Sequence, residues 1–436
     1  MSLSRLYRRP SLFYGWRMVA LGGFITSLNK AAVNKGFPVF ILPVEEFFGA
    51  SRAQVSFIFA LARSENGPTG PLAGWLVDRF GPRAALFLGA AMTGGGFLIL
   101  GQTRSIWGFA LIYLGVITIG SNIGFSYSMS ALINNWFYRR KATAMSWFQA
   151  IDSLAPVLLV PVLDRTIRSV GLETTFTAIG LILLATVLPL SFFIKNTPES
   201  MGLTMDGDPL PDDQNLENAG ERATLRQPPP VDYSVKGAMR TPTYWILVLA
   251  TALRLIAKAA IMLHIIPIII SKGVDRADAA LVFSLLLLIT IPLYLLVGWL
   301  ADRFPKNLVL MVASVAGTLS FLVLASPAQS LGVVLLFVVL FSIAEASAPT
   351  NWAVLGVYFG RKAFGQLRGY VQLANFPGSL AAPVLVGWWY DQHASYTVPL
   401  WIFAGVFALG ALTFGLMRPP KLASEEPEAA AANWLG

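Results

Sequence analysis

The side chains best placed to do chemistry are eight ionisable residues embedded in long apolar runs. Five are cations, Lys30, Lys35, Arg63, Arg254 and Lys258; three are acids, Glu65, Asp152 and Glu345. On insertion scales each such group costs at least about 2.5–3.5 kcal/mol in hydrocarbon, so each is a functional candidate. Cations outnumber acids, which suits a cavity for an anion, a carboxylate being the simplest. Arg254 and Lys258 stand four residues apart and share a helix face. They repel unless something negative lies between them, either a bound anion or an acid such as Glu345. An arginine fork matches a carboxylate, while lysine acts as a point charge. The pair therefore reads as an anion clamp, with a buried ion-pair network as the structural alternative.

Lys30 and Asn34 share a face by the same spacing, and Lys35 points about 100° away, near enough to the outer end to snorkel to water. Arg63 and Glu65 are two apart and point nearly opposite ways, which leaves Arg63 to meet Asp152 or Glu345. A carboxyl that alternates between a buried and a cation-paired environment can take up and release a proton. Glu65, Asp152 and Glu345 are thus the proton-coupling candidates, with a permanent counter-ion as the alternative for each. Asn122, Ser126 and Tyr127, with Asn351, Gln372 and Asn375, can orient a carboxylate or hydroxyl; such residues also bond helices together. Gly120-x-x-x-Gly124 reads as close packing, and His264 as a hydrogen-bonded helix partner. With no cysteine and only His264 and His393, the chain offers no disulfide, no thiolate and no histidine metal site.

The elements that must hold these residues follow from composition. Of 436 residues, 55% are hydrophobic and 13% charged, with mean hydropathy +0.63. Soluble proteins carry about 25% charged residues. Runs of about 20 apolar residues, enough to span a bilayer, fall near 16–43, 54–77, 83–102, 106–135, 142–164, 174–194, 243–270, 278–301, 307–326, 330–358, 365–389 and 396–417. The first is long and carries two lysines, so a break or tilt is expected there; it has no convincing cleavage site and reads as an uncleaved span. Of 32 Lys and Arg, 21 collect on one side of these spans and 6 on the other. By the positive-inside rule both termini are cytoplasmic. The net charge of +9 is therefore a topology signal rather than a nucleic-acid surface. Segment 195–242, which contains Pro209, Pro211, Pro228, Pro229 and Pro230 with scattered acids, reads as a cytoplasmic linker between six-helix halves at 1–194 and 243–417. The tail 418–436 reads as disordered. The fold expected is an all-α polytopic membrane protein of twelve transmembrane helices.

A repeat supports two halves. Gly74-Trp75-Leu76-Val77-Asp78-Arg79-Phe80 recurs as Gly298-Trp299-Leu300-Ala301-Asp302-Arg303-Phe304. Arg140-Lys141-Ala142 returns as Arg361-Lys362-Ala363, with Pro156 and Pro377 following. Like-oriented halves fit a parallel duplication about the membrane normal. At these residues the chain resembles the major facilitator superfamily over nearly its whole length. The family's loop signature matches at Gly74, Asp78, Arg79, Gly81 and Arg83, and a degraded copy keeps Asp302 and Arg303. The resemblance implies a cytoplasmic gate formed by Gly74, Asp78, Arg79, Arg83, Asp302 and Arg303. In that role Asp78 accepts hydrogen bonds at a neighbouring helix N-terminus.

Tyr14-Gly15-Trp16-Arg17, Phe37-Pro38-Val39-Phe40 and Gly67-Pro68-Thr69-Gly70-Pro71-Leu72-Ala73-Gly74 are similar to bacterial relatives of monocarboxylate porters and oxalate/formate antiporters, and Lys35 falls where monocarboxylate porters carry a first-span lysine. The chain departs from those porters in its eighth span, which lacks their arginine. In the eleventh it has only Arg368, near the cytoplasmic end, where oxalate antiporters use a lysine.

The expected function is a secondary transporter of a small organic anion, a monocarboxylate, by alternating access, proton-coupled or by exchange, in a bacterial inner membrane. Its partners are the substrate, a proton or counter-substrate and lipids. It is read as a monomer, with no cofactor and no nucleic acid. A drug or amphipathic-metabolite exporter and a non-transporting receptor or scaffold are the alternatives. No phosphate-binding loop and no nucleophile constellation is present, so neither a nucleotide-driven pump nor an enzyme is expected.

Overall fold

The computed structural model describes residues 13–64, 66–207 and 232–420. Among these, nine helices are long and apolar enough to cross a membrane. Three more rods follow from local breaks and polarity. Asn66–Leu100 is two helices joined at Gly81, whose φ of 83° and ψ of 160° turn the chain; glycine holds that φ without strain. The first span runs as Tyr14–Asn29, a π-helical turn Lys30–Lys35, and Phe37–Phe48. Gly36 and Pro38 separate the last two pieces: a Cβ on Gly36 would lie 2.4 Å from the Ala31 carbonyl, and Pro38 has no N–H to donate backward. The eleventh, Phe364–His393, is long but carries Gln366, Arg368, Gln372 and Asn375. Twelve spans result, all helical, and the protein is a multi-pass membrane protein.

The second span comprises Arg52–Ser64 and the chain from Asn66 to Gly81; the third continues to Leu100. The fourth is Ile106–Trp136, with π-helical turns at Tyr113–Thr118 and Asn122–Tyr127. The fifth is Lys141–Asp152 with Leu154–Val170, and the sixth Leu172–Ser191. The seventh to ninth are Pro242–Ser271, Arg276–Arg303 and Lys306–Ala325. The tenth is Leu331–Ala346 with Ala348–Phe359, and the twelfth Thr397–Leu416.

The breaks in the fifth and tenth spans share one cause. Pro156 follows Asp152 by four residues and Pro349 follows Glu345 by four. Proline cannot donate to the carbonyl four residues back, so each acid sits on a turn that has lost a backbone bond. Ser153 and Ser347 fill the joints, each with ψ of −10°.

Each group of six spans packs on its own aromatic centre. Phe109 stacks on Tyr113 with ring centroids 5.5 Å apart, and Phe40 and Phe97 meet Phe176. Phe321 touches Phe337, Phe341, Phe403 and Phe407. Gly89 lies against Gly120 and Gly124 so closely that a Cβ would stand 2.4 Å from the Gly120 carbonyl oxygen and the Gly124 Cα. Outward-facing leucines such as Leu111, Leu158 and Leu412 are well exposed, the surface a bilayer covers.

Candidate functional site

Midway along the bundle, two ion pairs face each other's halves. Lys30 of the first span binds Asp152 of the fifth, and Gln149 Nε2 also donates to that carboxylate at 3.1 Å. Lys258 of the seventh binds Glu345 of the tenth. The lysine side chains are 22% and 33% exposed, the acids 4% and 5%. The cations are therefore partly exposed, and the acids are buried behind them. Asp152 Oδ1 and Glu345 Oε1 have no hydrogen-bond partner, so each acid spends one oxygen on its lysine and keeps one in reserve.

Arg254 stands one turn before Lys258 and is 3% exposed. Its Nε and Nη1 have no hydrogen-bond partner. Glu345 and Tyr294 are its charge neighbours. Tyr294, on the eighth span, stands within electrostatic reach of Glu345, Arg254 and, across the halves, Asp152. Sequence reading passed over Tyr294, because a tyrosine in an apolar run carries no charge to mark it. It also passed over the Lys30-Ala31-Ala32 and Lys258-Ala259-Ala260 repeat, which places the two lysines at equivalent points of the first and seventh spans.

The expected polar residues scatter around this centre. Thr251 Oγ1 donates to Asn351 Oδ1 at 3.0 Å, leaving Asn351 Nδ2 unpaired. Asn375 Oδ1 accepts from Ser379 at 2.9 Å, Gln372 Oε1 has no partner, and Asn122 reaches Thr69 at 3.5 Å. Lys35 is exposed at the end of the π-helical turn, where the α-helical angle expected between it and Lys30 does not hold. Asn34 is exposed, away from Lys30's partner. Arg63's side chain and all of Glu65 lie outside the described residues. Asp152 and Glu345, expected as partners for Arg63, each hold a lysine. His264 Nε2 lies 3.0 Å from the Pro383 carbonyl, a helix-to-helix contact.

The end bearing the basic loops is closed by hydrogen bonds between the halves. Asp78 accepts from the backbone N–H of Gly365 and Gln366, both at 2.9 Å, at the start of the eleventh span. Asp302 accepts from Ala142 at 3.0 Å and Thr143 at 2.8 Å at the start of the fifth. Each repeated aspartate thus caps a helix of the opposite half, where the helix dipole favours negative charge. Gly74 permits the approach, since a Cβ there would lie 2.1 Å from the Gly365 carbonyl oxygen. The arginines of the motif do something else. Arg79 lies over Trp75 and Phe80, and Arg303 over Trp299 at 3.7 Å, all on exposed surface. Arg83 donates its backbone N–H to Asn196 and sits over Phe192.

Two cations at this end, which the sequence reads as topology charges, are buried. Lys141 is 1% exposed and its Nζ donates to Asn134 Oδ1 at 2.6 Å and to the Gly356 carbonyl at 3.1 Å. Arg368 is buried between the fourth, tenth and eleventh spans, against Ser126, Tyr127 and Trp352.

Comparison with known proteins agrees with this architecture. The family model described as Major Facilitator Superfamily matches residues 19–253 and 247–435. Monocarboxylate transporter 12 of Rattus norvegicus is 23% identical, over 94% of this chain and 87% of its own. The uncharacterized MFS-type transporter YcxA of Bacillus subtilis is 26% identical over 188 residues, 43% of this chain and 46% of that one. The oxalate:formate antiporter of Oxalobacter formigenes is 25% identical over 38% of this chain and 39% of its own. The chain thus spans under half the length of these last two relatives. The proton:xylose symporter XylE superposes with a TM-score of 0.70 at 17% identity, covering 94% of this chain and 96% of that one. Twelve spans in a duplicated arrangement, opposed helix-capping aspartates and a family match over nearly the whole length lead to one conclusion: the chain belongs to the major facilitator superfamily of transporters.

Proposed function

We propose that the protein carries a small organic anion, a monocarboxylate, across a bacterial inner membrane by alternating access, with its linker side in the cytoplasm. The observation that carries this reading is Arg254. Lys30 and Lys258 are neutralised by Asp152 and Glu345, while Arg254 keeps two unpaired guanidinium nitrogens beside them. A carboxylate supplies the missing charge and matches the fork. Around it, Tyr294, Asn351 and Gln372 offer groups that orient the rest of a small acid, with Lys30, Lys35, Arg63, Asn122, Tyr127 and Asn375 as further candidates. The relatives named for monocarboxylate transport and oxalate:formate exchange support the same substrate class.

The ion pairs supply a coupling device. An anion docked on Arg254 stands near Glu345, and that repulsion is relieved when Glu345 takes a proton and frees Lys258. Asp152 is the matching group in the first half. Asp78, Asp302 and Lys141 form the cytoplasmic gate, closed here, and the halves rock about the central site. On this reading the closed end is the cytoplasmic one, and the cycle continues when it opens.

Proteoliposomes test this. An imposed pH gradient is expected to drive uptake of radiolabelled lactate, and Arg254→Gln is expected to raise its KM about tenfold or more, the scale of one charged fork contact. Dye export with no response to carboxylates would establish the drug-efflux alternative instead.

A further inference from the structure

Arg368 is the least balanced charge among the described residues of the interior. It is 7% exposed, and no carboxylate of the described residues is among its contacts. Its Nη1 donates to the Ser126 carbonyl at 2.8 Å and its Nη2 reaches Ser126 Oγ at 3.3 Å. Its Nε has no partner. The rings of Tyr127 and Trp352 each lie 4.8 Å from Cζ. Among the described residues the acids of the interior and of the closed end are engaged: Asp78 on the backbone of Gly365 and Gln366, Asp302 on that of Ala142 and Thr143, Asp152 and Glu345 on lysines. A buried charge is ordinarily paired, because partial charges alone do not replace water.

The empty side of this guanidinium is specific. Nε and Nη2 form the edge that grips a carboxylate with two parallel bonds. In Arg368 Nε has no hydrogen-bond partner and Nη2 makes only the 3.3 Å contact to Ser126 Oγ. Of the groups covering it, Ser126 and Tyr127 belong to the first six spans, whereas Trp352 belongs, with Arg368, to the second six. Tyr127 stands where the second and eleventh spans cross, since a Cβ on Gly70 would meet both its hydroxyl and the Gly369 carbonyl. Parting of the halves at this end therefore withdraws Ser126 and Tyr127 from the fork and leaves Trp352 on its face. Arg254 lies twelve residues inside the seventh span and Arg368 four inside the eleventh, a difference in depth of roughly 12 Å at 1.5 Å per residue. Gln372, one turn further in from Arg368, has an unpaired Oε1 and stands between the two levels.

We propose that Arg368 is a second, state-dependent anion subsite. It is covered while the basic end is closed, and it receives the substrate carboxylate from Arg254 when that end opens. The inference rests on the carboxylate-transport reading and adds a release station to it.

The test is the KM for radiolabelled lactate measured from each side, in right-side-out vesicles and in inverted vesicles that present the basic end outward. Arg368→Gln is expected to raise KM about tenfold on the basic side and to change it less than about twofold on the other. Arg254→Gln is expected to raise both. Arg368→Lys keeps the charge but loses the fork, so it should fall between; it supplies the readout if the glutamine variant fails to reach the membrane. A purely structural latch would alter turnover alike in both directions without a one-sided KM change, and that result overturns the proposal. If Arg254→Gln behaves as expected and Arg368 variants show no asymmetry, this inference falls alone. If the wild-type protein moves no lactate, the transport reading falls and takes this inference with it.

Discussion

Replacing Lys258 by Met leaves Glu345 buried without its cation. Breaking one side of such a pair costs about 3–5 kcal/mol, whereas replacing both partners by apolar residues is often close to neutral. The double variant Lys258→Met with Glu345→Met is therefore expected to regain most of the melting temperature lost by the single variant, as read by thermal unfolding in detergent. It should not regain pH-driven transport, because in the proposed cycle Glu345 carries the proton. Recovery of pH-driven transport in the double variant would remove Glu345 from coupling. The sequence made these residues legible one at a time, since a charge in an apolar run stands out against the expense of burying it. Their pairing was not legible: Lys30 meets Asp152 over 122 residues and Lys258 meets Glu345 over 87. Arg368 and Lys141 stayed hidden because a cation near a span end reads as topology until its burial is known.

At the scale of elements, the acids owe their position to proline. Pro156 and Pro349 each remove the backbone bond to the acid four residues earlier, which lets the helix bend at Ser153 and Ser347. Pro349→Ala is expected to straighten the tenth span, draw Glu345 away from Lys258 and lower proton-driven uptake several-fold while exchange at equal pH changes less. Flux assays with and without a pH gradient separate the two. The linker ends are also placed elements. Asp206 accepts backbone N–H groups from Tyr138, Arg139 and Arg140, and Asp232 accepts from Arg361 and Lys362. The two contacts are equivalent in the two halves, each holding the loop before the fifth or eleventh span. Asp206 takes a φ of 59° to do this, a conformation unfavourable for most side chains other than glycine, asparagine and aspartate. Asp206→Ala is accordingly expected to raise the rate of amide exchange in segment 138–140 by about tenfold, measured by hydrogen exchange, with little change at the midplane. The linker as a whole reads as polar and proline-rich; that its ends are anchors follows only from the fold.

For the whole molecule, closure at the basic end rests on Asp78 and Asp302 acting in opposite directions between the halves. Asp78→Asn with Asp302→Asn keeps the shape but weakens both charge-assisted caps. The closed form is expected to lose population. The chain has no cysteine, so single cysteines placed at the basic end report accessibility cleanly, and their labelling should speed up about tenfold in the double variant. Gly74→Val should act more strongly, since its Cβ alone would overlap the Gly365 carbonyl. Unchanged labelling in both would show that the aspartate caps do not govern closure.

By itself the sequence determined the number of spans, an asymmetry of basic residues between their two sides, the duplication and five of the interior charges, Lys30, Asp152, Arg254, Lys258 and Glu345. Each of these is a local or one-dimensional quantity: apolar length against bilayer thickness, basic residues counted per loop, a motif repeated at a fixed separation. Only the tertiary structure decided which charges neutralise each other, that the motif's aspartates cap helices while its arginines turn outward, and that Arg254 and Arg368 remain without full partners. Those outcomes depend on contacts between residues far apart in the chain, where distance and burial, not residue type, set whether a charge is spent or available.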